Sequence, residues 1–141
     1  MKIALINGPN LNLLGKREVD IYGSESFKDF FAKLKALFPK VELTYFQSNI
    51  EGELITAIQE SGFDCDAIVL NPGGYTHTSV ALGDAVAAVP AKVIEVHISN
   101  IFSREEFRRL SYVSGKSVGV ISGLGLKGYE LAIKYLLETA G

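Results

Sequence analysis

Val93-Ile94-Glu95-Val96-His97-Ile98-Ser99-Asn100 is the stretch on which the reading of this chain turns. Its first half is a β-branched strand, and its end turns abruptly polar. Side chains of a strand alternate between faces, so Glu95 and His97 share one. A carboxylate beside an imidazole can orient the ring and keep a proton on it near neutral pH. Ser99 and Asn100 follow at the carboxyl end, the edge where open α/β sheets bind their ligands. The same residues read equally well as an exposed glutamate and a strand-capping histidine.

Working outward, segments 2–7, 41–46, 67–71 and 117–122 join 92–97 as candidate strands. Several are continuous apolar runs, the pattern of strands buried on both faces of a parallel sheet. Helical patterns lie between them. Ser26-Phe27-Lys28-Asp29 opens one, with Phe27, Phe30, Phe31, Leu34 and Leu37 as its apolar stripe. Residues 53–61 give a second, with Gly62 as its stop signal, and 78–89 a third, ended by Pro90. A short helix is expected over 104–110. The last covers 129–137, with Leu131, Ile133, Leu136 and Leu137 mostly on one side. Strands alternating with helices imply right-handed crossovers and a doubly wound α/β sandwich of three layers. Five parallel strands in the order 2-1-3-4-5 are expected. No repeat or linker interrupts the 141 residues, so 1–141 reads as a single domain.

The net charge of -2 gives no reason to expect nucleic acid or an anionic membrane as partner. The apolar runs are too short to span a bilayer. Met1-Lys2 leads directly into Ile3-Ala4-Leu5-Ile6, which Asn7 interrupts too soon for a signal peptide. Cys65 is the single cysteine, which excludes an internal disulfide and a cysteine zinc site. A cytoplasmic protein fits these features.

The polar residues gather at strand ends. Strand one ends in Asn7-Gly8-Pro9-Asn10, strand two leads to Gln47-Ser48-Asn49, and strand three ends in Asn71-Pro72-Gly73-Gly74-Tyr75-Thr76-His77. With His97-Ile98-Ser99-Asn100, consecutive strands carry amides, hydroxyls and imidazoles to one edge of the sheet. That exceeds what turns require and points to a ligand cleft. Gly123-Leu124-Gly125-Leu126-Lys127-Gly128 matches G-x-G-x-x-G, but it lies in the last βα unit. No later strand supplies the acidic ribose partner of a dinucleotide site, so close helix–sheet packing is the better reading. A phosphoacceptor receiver would need acidic residues where Asn7 and Asn71 stand. His77 and His97 lack the carboxylate cluster of a metal site. Arg17 and Tyr22 lie in the glycine-bounded segment 15–23, which reads either as a solvated charged loop or as a lid over the cleft edge.

Gly8-Pro9-Asn10-Leu11-Asn12, with Gly15, Arg17-Glu18 and Tyr22-Gly23, resembles the start of the type II 3-dehydroquinate dehydratases. Gln47-Ser48-Asn49 with Glu51-Gly52-Glu53-Leu54-Ile55 matches further on, as does the run from Asn71 to Leu82 with Asp84-Ala85. The run from Glu95 to Phe102, Arg104-Glu105, Phe107-Arg108, Ser111-Tyr112, Gly123-Leu124-Gly125 and Gly128-Tyr129 continue the match nearly end to end. The resemblance implies a flavodoxin-like fold and no cofactor. The implied reaction is reversible loss of water from 3-dehydroquinate, giving 3-dehydroshikimate by anti elimination through an enolate, in the shikimate pathway.

By the same resemblance, Tyr22 is the base. A free phenol has a pKa of ~10, so about one in a thousand is ionised at neutral pH. Arg17 on the same segment is the natural counter-charge. His97 is the acid that protonates the departing hydroxyl, with Glu95 holding its tautomer and favouring the imidazolium. Asn10 holds a water against the enolate. Asn71 with the Ile98 and Ser99 backbone amides cradles the substrate carboxylate. His77 and Arg108 hold ring hydroxyls, Asp84 reaches a neighbouring subunit's site, and Arg104 supports lid and site. Trimers, four to a dodecamer, are the implied assembly. The chain departs from the family pattern at Gly83, where Arg is frequent, at Leu110, where His is common, and at Val19, where Pro is common. Gly83 puts any subunit contact by that Arg in doubt. The competing readings are a flavin-binding or electron-transfer module of the same fold and a small-acid-binding domain without turnover.

Overall fold

A computed structural model describes residues 1–16 and 18–140. The sheet comprises β1 (Lys2–Asn7), β2 (Glu42–Gln47), β3 (Ala67–Asn71), β4 (Lys92–His97) and β5 (Gly119–Ser122). They are parallel and lie in the order β2-β1-β3-β4-β5. The expected order and the doubly wound architecture are both found. The apolar runs predict burial correctly: β1, β3 and β4 are buried nearly throughout, whereas β2 and β5 are the partly exposed edges.

The helices are α1 (Val19–Tyr22), α2 (Phe27–Leu37), α3 (Glu51–Asp64), α4 (Val80–Ala88) and α5 (Lys127–Glu138). Helices α2 and α5 cover one face, where Phe27, Leu34, Tyr129 and Ile133 pack on Ile3, Leu5, Val69 and Val96. Helices α3 and α4 cover the other, where Leu54, Ile58, Leu82 and Val86 pack on Ala4, Ile6, Ile68 and Leu70. Ser26 caps α2 by accepting from the Asp29 amide at 3.2 Å, as its motif foretells. Ser79 does the same for α4 through the Leu82 amide at 3.0 Å. Gly128 lies where a Cβ would meet Val96 Cγ1 at 3.2 Å, so the glycine-rich turn does bring α5 close to the sheet.

Four local expectations change. Gly62 does not stop α3, which continues to Asp64. It is a buried helical position where a Cβ would fall 2.3 Å from the Cβ of Val89, so its smallness admits a neighbour. Leu37 leaves the apolar stripe and is exposed. The helix expected at 104–110 is a single 3₁₀ turn, Glu106–Arg109. The 15–23 segment is not all loop, for its end forms the one-turn helix α1.

Gly83 has a specific cause. It is buried in α4, and a Cβ there would lie 2.2 Å from the carbonyl oxygen of Tyr112. That strand of chain is itself pinned, because the Tyr112 amide donates to the Thr76 carbonyl at 2.8 Å. Glycine thus lets the 110–114 segment lie against α4. Helix propensity alone makes Gly83→Ala a gain of about 1 kcal/mol. The clash reverses the sign, and a net loss of about 1–2 kcal/mol is expected from overpacking. Urea unfolding measures it, and an unchanged or raised midpoint would contradict the packing.

Candidate active site

Strands β1, β3 and β4 end side by side, and a cleft opens beyond them where the strand order reverses. Asn10, Leu11 and Leu14 line it after β1, Asn71 and His77 after β3, and His97, Ile98 and Ser99 after β4. Tyr22, Arg104 and Arg108 complete its rim. Among the described residues, the buried polar side chains include Asn7, Asn71, Thr76, His77, Glu95 and His97, all at this edge or just behind it.

The rigid half of the site is built around Glu95, which is wholly buried. Its Oε2 accepts from His97 Nε2, as the same-face position on β4 requires, and from Thr76 Oγ1 at 2.9 Å. Its Oε1 accepts from Ser114 Oγ at 2.7 Å and from Ser111 Oγ at 3.3 Å. The Ser111 hydroxyl oxygen in turn accepts from the Val113 and Ser114 amides, which leaves its proton for Glu95. Burial pushes the Glu95 carboxyl up, but the His97 hydrogen bond and charge, with Ser114 and Thr76, outweigh it and hold the group below the usual carboxylate range. With Nε2 given to Glu95, Nδ1 is the His97 nitrogen left for the cleft.

His77 lies beside His97, with ring centroids 6.3 Å apart and planes 21° from parallel. Its Nδ1 meets the Leu110 carbonyl at 2.6 Å, so Nδ1 carries the proton and Nε2 is an acceptor when the ring is neutral. Burial lowers its proton affinity most, and the charges of His97 and Arg108 add to that against the opposing carbonyl. The Leu110 side chain is exposed and takes no part, so this position serves the site through its backbone.

The outer half is arranged around Tyr22, the last residue of α1. Arg104 donates from one terminal nitrogen both to the Tyr22 hydroxyl at 2.9 Å and to Ser99 Oγ at 3.1 Å. Its guanidinium carbon stands 5.8 Å from the Tyr22 ring centre. Gly15 and Gly23 flank this segment with φ of 86° and 84°, values at which side chains are strained. Asn10 takes a left-handed φ of 71°, and its amide donates to Asn49 Oδ1 at 3.0 Å. The carbonyls of Ile98 and Ser99 are tied back by the Gly125 amide at 3.0 Å and the Ser122 hydroxyl at 3.2 Å. Arg108 lines the cleft while its Nε donates to Glu105.

Residues 1–137 match the model of the family described as dehydroquinase class II. The chain belongs to the class II dehydroquinases. A 3-dehydroquinate dehydratase of an Exiguobacterium species is 51% identical over 139 residues, covering 98% of this chain and 95% of that protein. A catabolic 3-dehydroquinase of Verticillium alfalfae is 53% identical over 136 residues, covering 95% and 91%. The crystal structure of a type II dehydroquinase from Butyrivibrio crossotus superposes with a TM-score of 0.94 at 49% identity, covering 97% of each chain.

Within this family member, the residues singled out from sequence fall into three groups. Asn10, Tyr22, Asn71, His77, His97, Ile98, Ser99 and Arg108 line one cleft, and Glu95 stands directly behind His97. Asp84 does not join them; it is exposed on α4. Arg17 lies outside the described residues. Sequence reasoning placed Thr76 and Ser111 in matching runs without a role, missed Ser114, and gave Arg104 only a supporting part. No periodicity marks those hydroxyls, and Arg104 meets a tyrosine 82 positions away.

His77 and Glu95 both bind protons less well here than their ordinary values of 6.5 and 4.5. The unfolded chain therefore takes up more protons in acid. The stability from each group is complete above its ordinary value and is lost as pH falls through the lower folded one. Between pH 7 and 5, the urea midpoint of the wild type is expected to fall further than that of His77→Gln. Equal slopes for the two proteins would contradict the His77 assignment.

Proposed function

We propose that this chain removes water from 3-dehydroquinate to give 3-dehydroshikimate, a step of the shikimate pathway of aromatic biosynthesis, by anti elimination through an enolate. One observation carries the reading: the hydroxyl of Tyr22, on a short outer helix, and the ring of His97, on a rigid strand, face one cleft. The names of the relatives support the reaction, and the arrangement of acid and base supports the order of events.

In this reading Tyr22 takes the proton α to the ketone, and the electron pair moves onto the carbonyl oxygen as an enolate. Arg104 supports the role because it donates to the phenolic oxygen and presents a positive charge to the anion that a base must carry. Arg17, assigned by resemblance, adds a second guanidinium to the same task. Asn10 holds a water against the enolate oxygen. The enolate then reforms its ketone and expels the β-hydroxyl, which leaves as water with a proton from His97 Nδ1. Glu95 keeps the His97 ring turned for this and stabilises its positive charge.

Binding falls to the remaining polar groups. Asn71 and the amides of Ile98 and Ser99 receive the carboxylate, and neutral His77 accepts a ring hydroxyl at Nε2 beside Arg108. Asp84 is assigned to a neighbouring subunit's site in a homododecamer. Its surroundings support that placement: Val80, one turn earlier on α4, and Tyr112, against Gly83, are both exposed. Side chains carry every proton transfer, so the reading uses no cofactor.

Conversion of 3-dehydroquinate produces a conjugated enone, which ultraviolet absorbance follows directly. Wild type is expected to generate the band. Tyr22→Phe and His97→Ala are each expected to lose about 100-fold or more in kcat, the range of general acid–base catalysis, while Tyr22→Phe still binds substrate. A colourless wild type that binds substrate without producing the band would make it a binding domain. A yellow protein with bound flavin would favour the electron-transfer reading.

A further inference from the structure

Behind the cleft lies a second buried polar group, separate from that of Glu95. Tyr129, at the start of α5, is fully buried, with its ring edge-on to Phe27 at a centroid distance of 5.0 Å and to Phe30 at 5.9 Å. Its hydroxyl passes between the ends of β1 and β3. It accepts from Asn71 Nδ2 at 2.9 Å and donates to Asn7 Oδ1 at 2.8 Å. Asn71 Oδ1 accepts from the Gly73 amide at 3.1 Å, and Asn7 Nδ2 reaches the Tyr45 hydroxyl at 3.5 Å.

Each of these bonds has only one possible direction. The Gly73 amide can only donate, so it must face the oxygen of Asn71. The nitrogen of Asn71 then faces Tyr129, whose hydroxyl must accept and so must send its own proton to Asn7. Burial holds the Tyr129 phenol in its protonated form far above the ordinary range, so that proton remains available. A core that needed only volume here would be served by Phe at 129 and an aliphatic residue at 7, without polar atoms to desolvate. The polar group starts from Asn71, which is itself almost fully buried and yet lines the cleft. Once that amide must stay polar, it needs a partner behind it, and the partner needs an acceptor of its own.

We infer that Tyr129 is a positioning residue for the reaction: its hydroxyl, together with the Gly73 amide, holds the Asn71 side-chain amide in one orientation, leaving the second N–H of Asn71 for the carboxylate of the bound substrate. This rests on the function proposed above. Without the Tyr129 hydroxyl, only the Gly73 amide still holds the side chain, the inner N–H loses its acceptor, and the amide is freer to turn and present oxygen where the ligand needs a donor. Tyr129 never meets the ligand, so its effect passes through Asn71 alone and belongs to binding.

The test is a double-mutant cycle in the ultraviolet assay, with a urea midpoint for every variant. Tyr129→Phe is expected to raise KM about threefold to tenfold, the value of one hydrogen bond, with kcat little changed. In the Asn71→Ala background, Tyr129→Phe is expected to leave KM where Asn71→Ala put it. A Tyr129→Phe protein with a lower midpoint but unaltered KM overturns the inference, and so does a KM effect that persists in full without the Asn71 amide. If Tyr129→Phe does not fold, Asn7→Ala runs the same cycle with the Tyr129 ring in place, and the same non-additivity is required. Turnover by the wild type is measured first. Its absence would remove the proposed function, whereas its presence with an additive cycle would remove only the role of Tyr129.

Discussion

A carboxylate with no exposure to water is the constraint around which this molecule is arranged. An unpaired buried carboxylate costs several kcal/mol, so Glu95 must be met by donors. They arrive from different parts of the chain: His97 from the same strand, Thr76 from the turn after β3, and Ser111 and Ser114 from the segment before β5. Bringing the last of these home forces the 110–114 segment against α4, which is why Gly83 has no side chain. The Leu110 carbonyl then falls on His77. One buried charge thus orients both imidazoles of the cleft, and the low dielectric around it strengthens every bond it accepts.

The two halves of the site differ in how firmly they are held. His97 is buried on a central strand with its ring tied from behind. Tyr22 stands on a helix of a single turn with no buried residue, between two glycines of positive φ. Arg104 joins the halves, since one nitrogen touches both the Tyr22 hydroxyl and Ser99. In the proposed reading the fixed ring is the acid and the phenol on the light outer element the base, an arrangement that suits a site that admits its substrate and then encloses it.

Much of this architecture is legible in the sequence because it rests on periodic signals. Continuous apolar runs mark β1, β3 and β4, and the Glu95–His97 pair follows from the two-residue period of a strand. The polar strand ends foretell the cleft. What is not legible depends on contacts distant in sequence. Gly62 carries the local signature of a helix stop, yet its true role is set by Val89 across the helix pair. Ser111 and Ser114 look like ordinary loop residues until β4 places a carboxylate among them. Tyr129 reads as an aromatic of the α5 stripe, and only the fold brings its hydroxyl between Asn7 and Asn71.

The most direct test of the central claim is the position of the proton on the His97 ring. Nitrogen-15 NMR of histidine-labelled protein at neutral pH resolves the two ring nitrogens. A proton on Nε2, shifted downfield and protected from exchange by its bond to Glu95, is the expected result. A neutral ring with its proton on Nδ1 and an unprotonated Nε2 would contradict it, since Glu95 would then lack the donor on which the arrangement of the site depends.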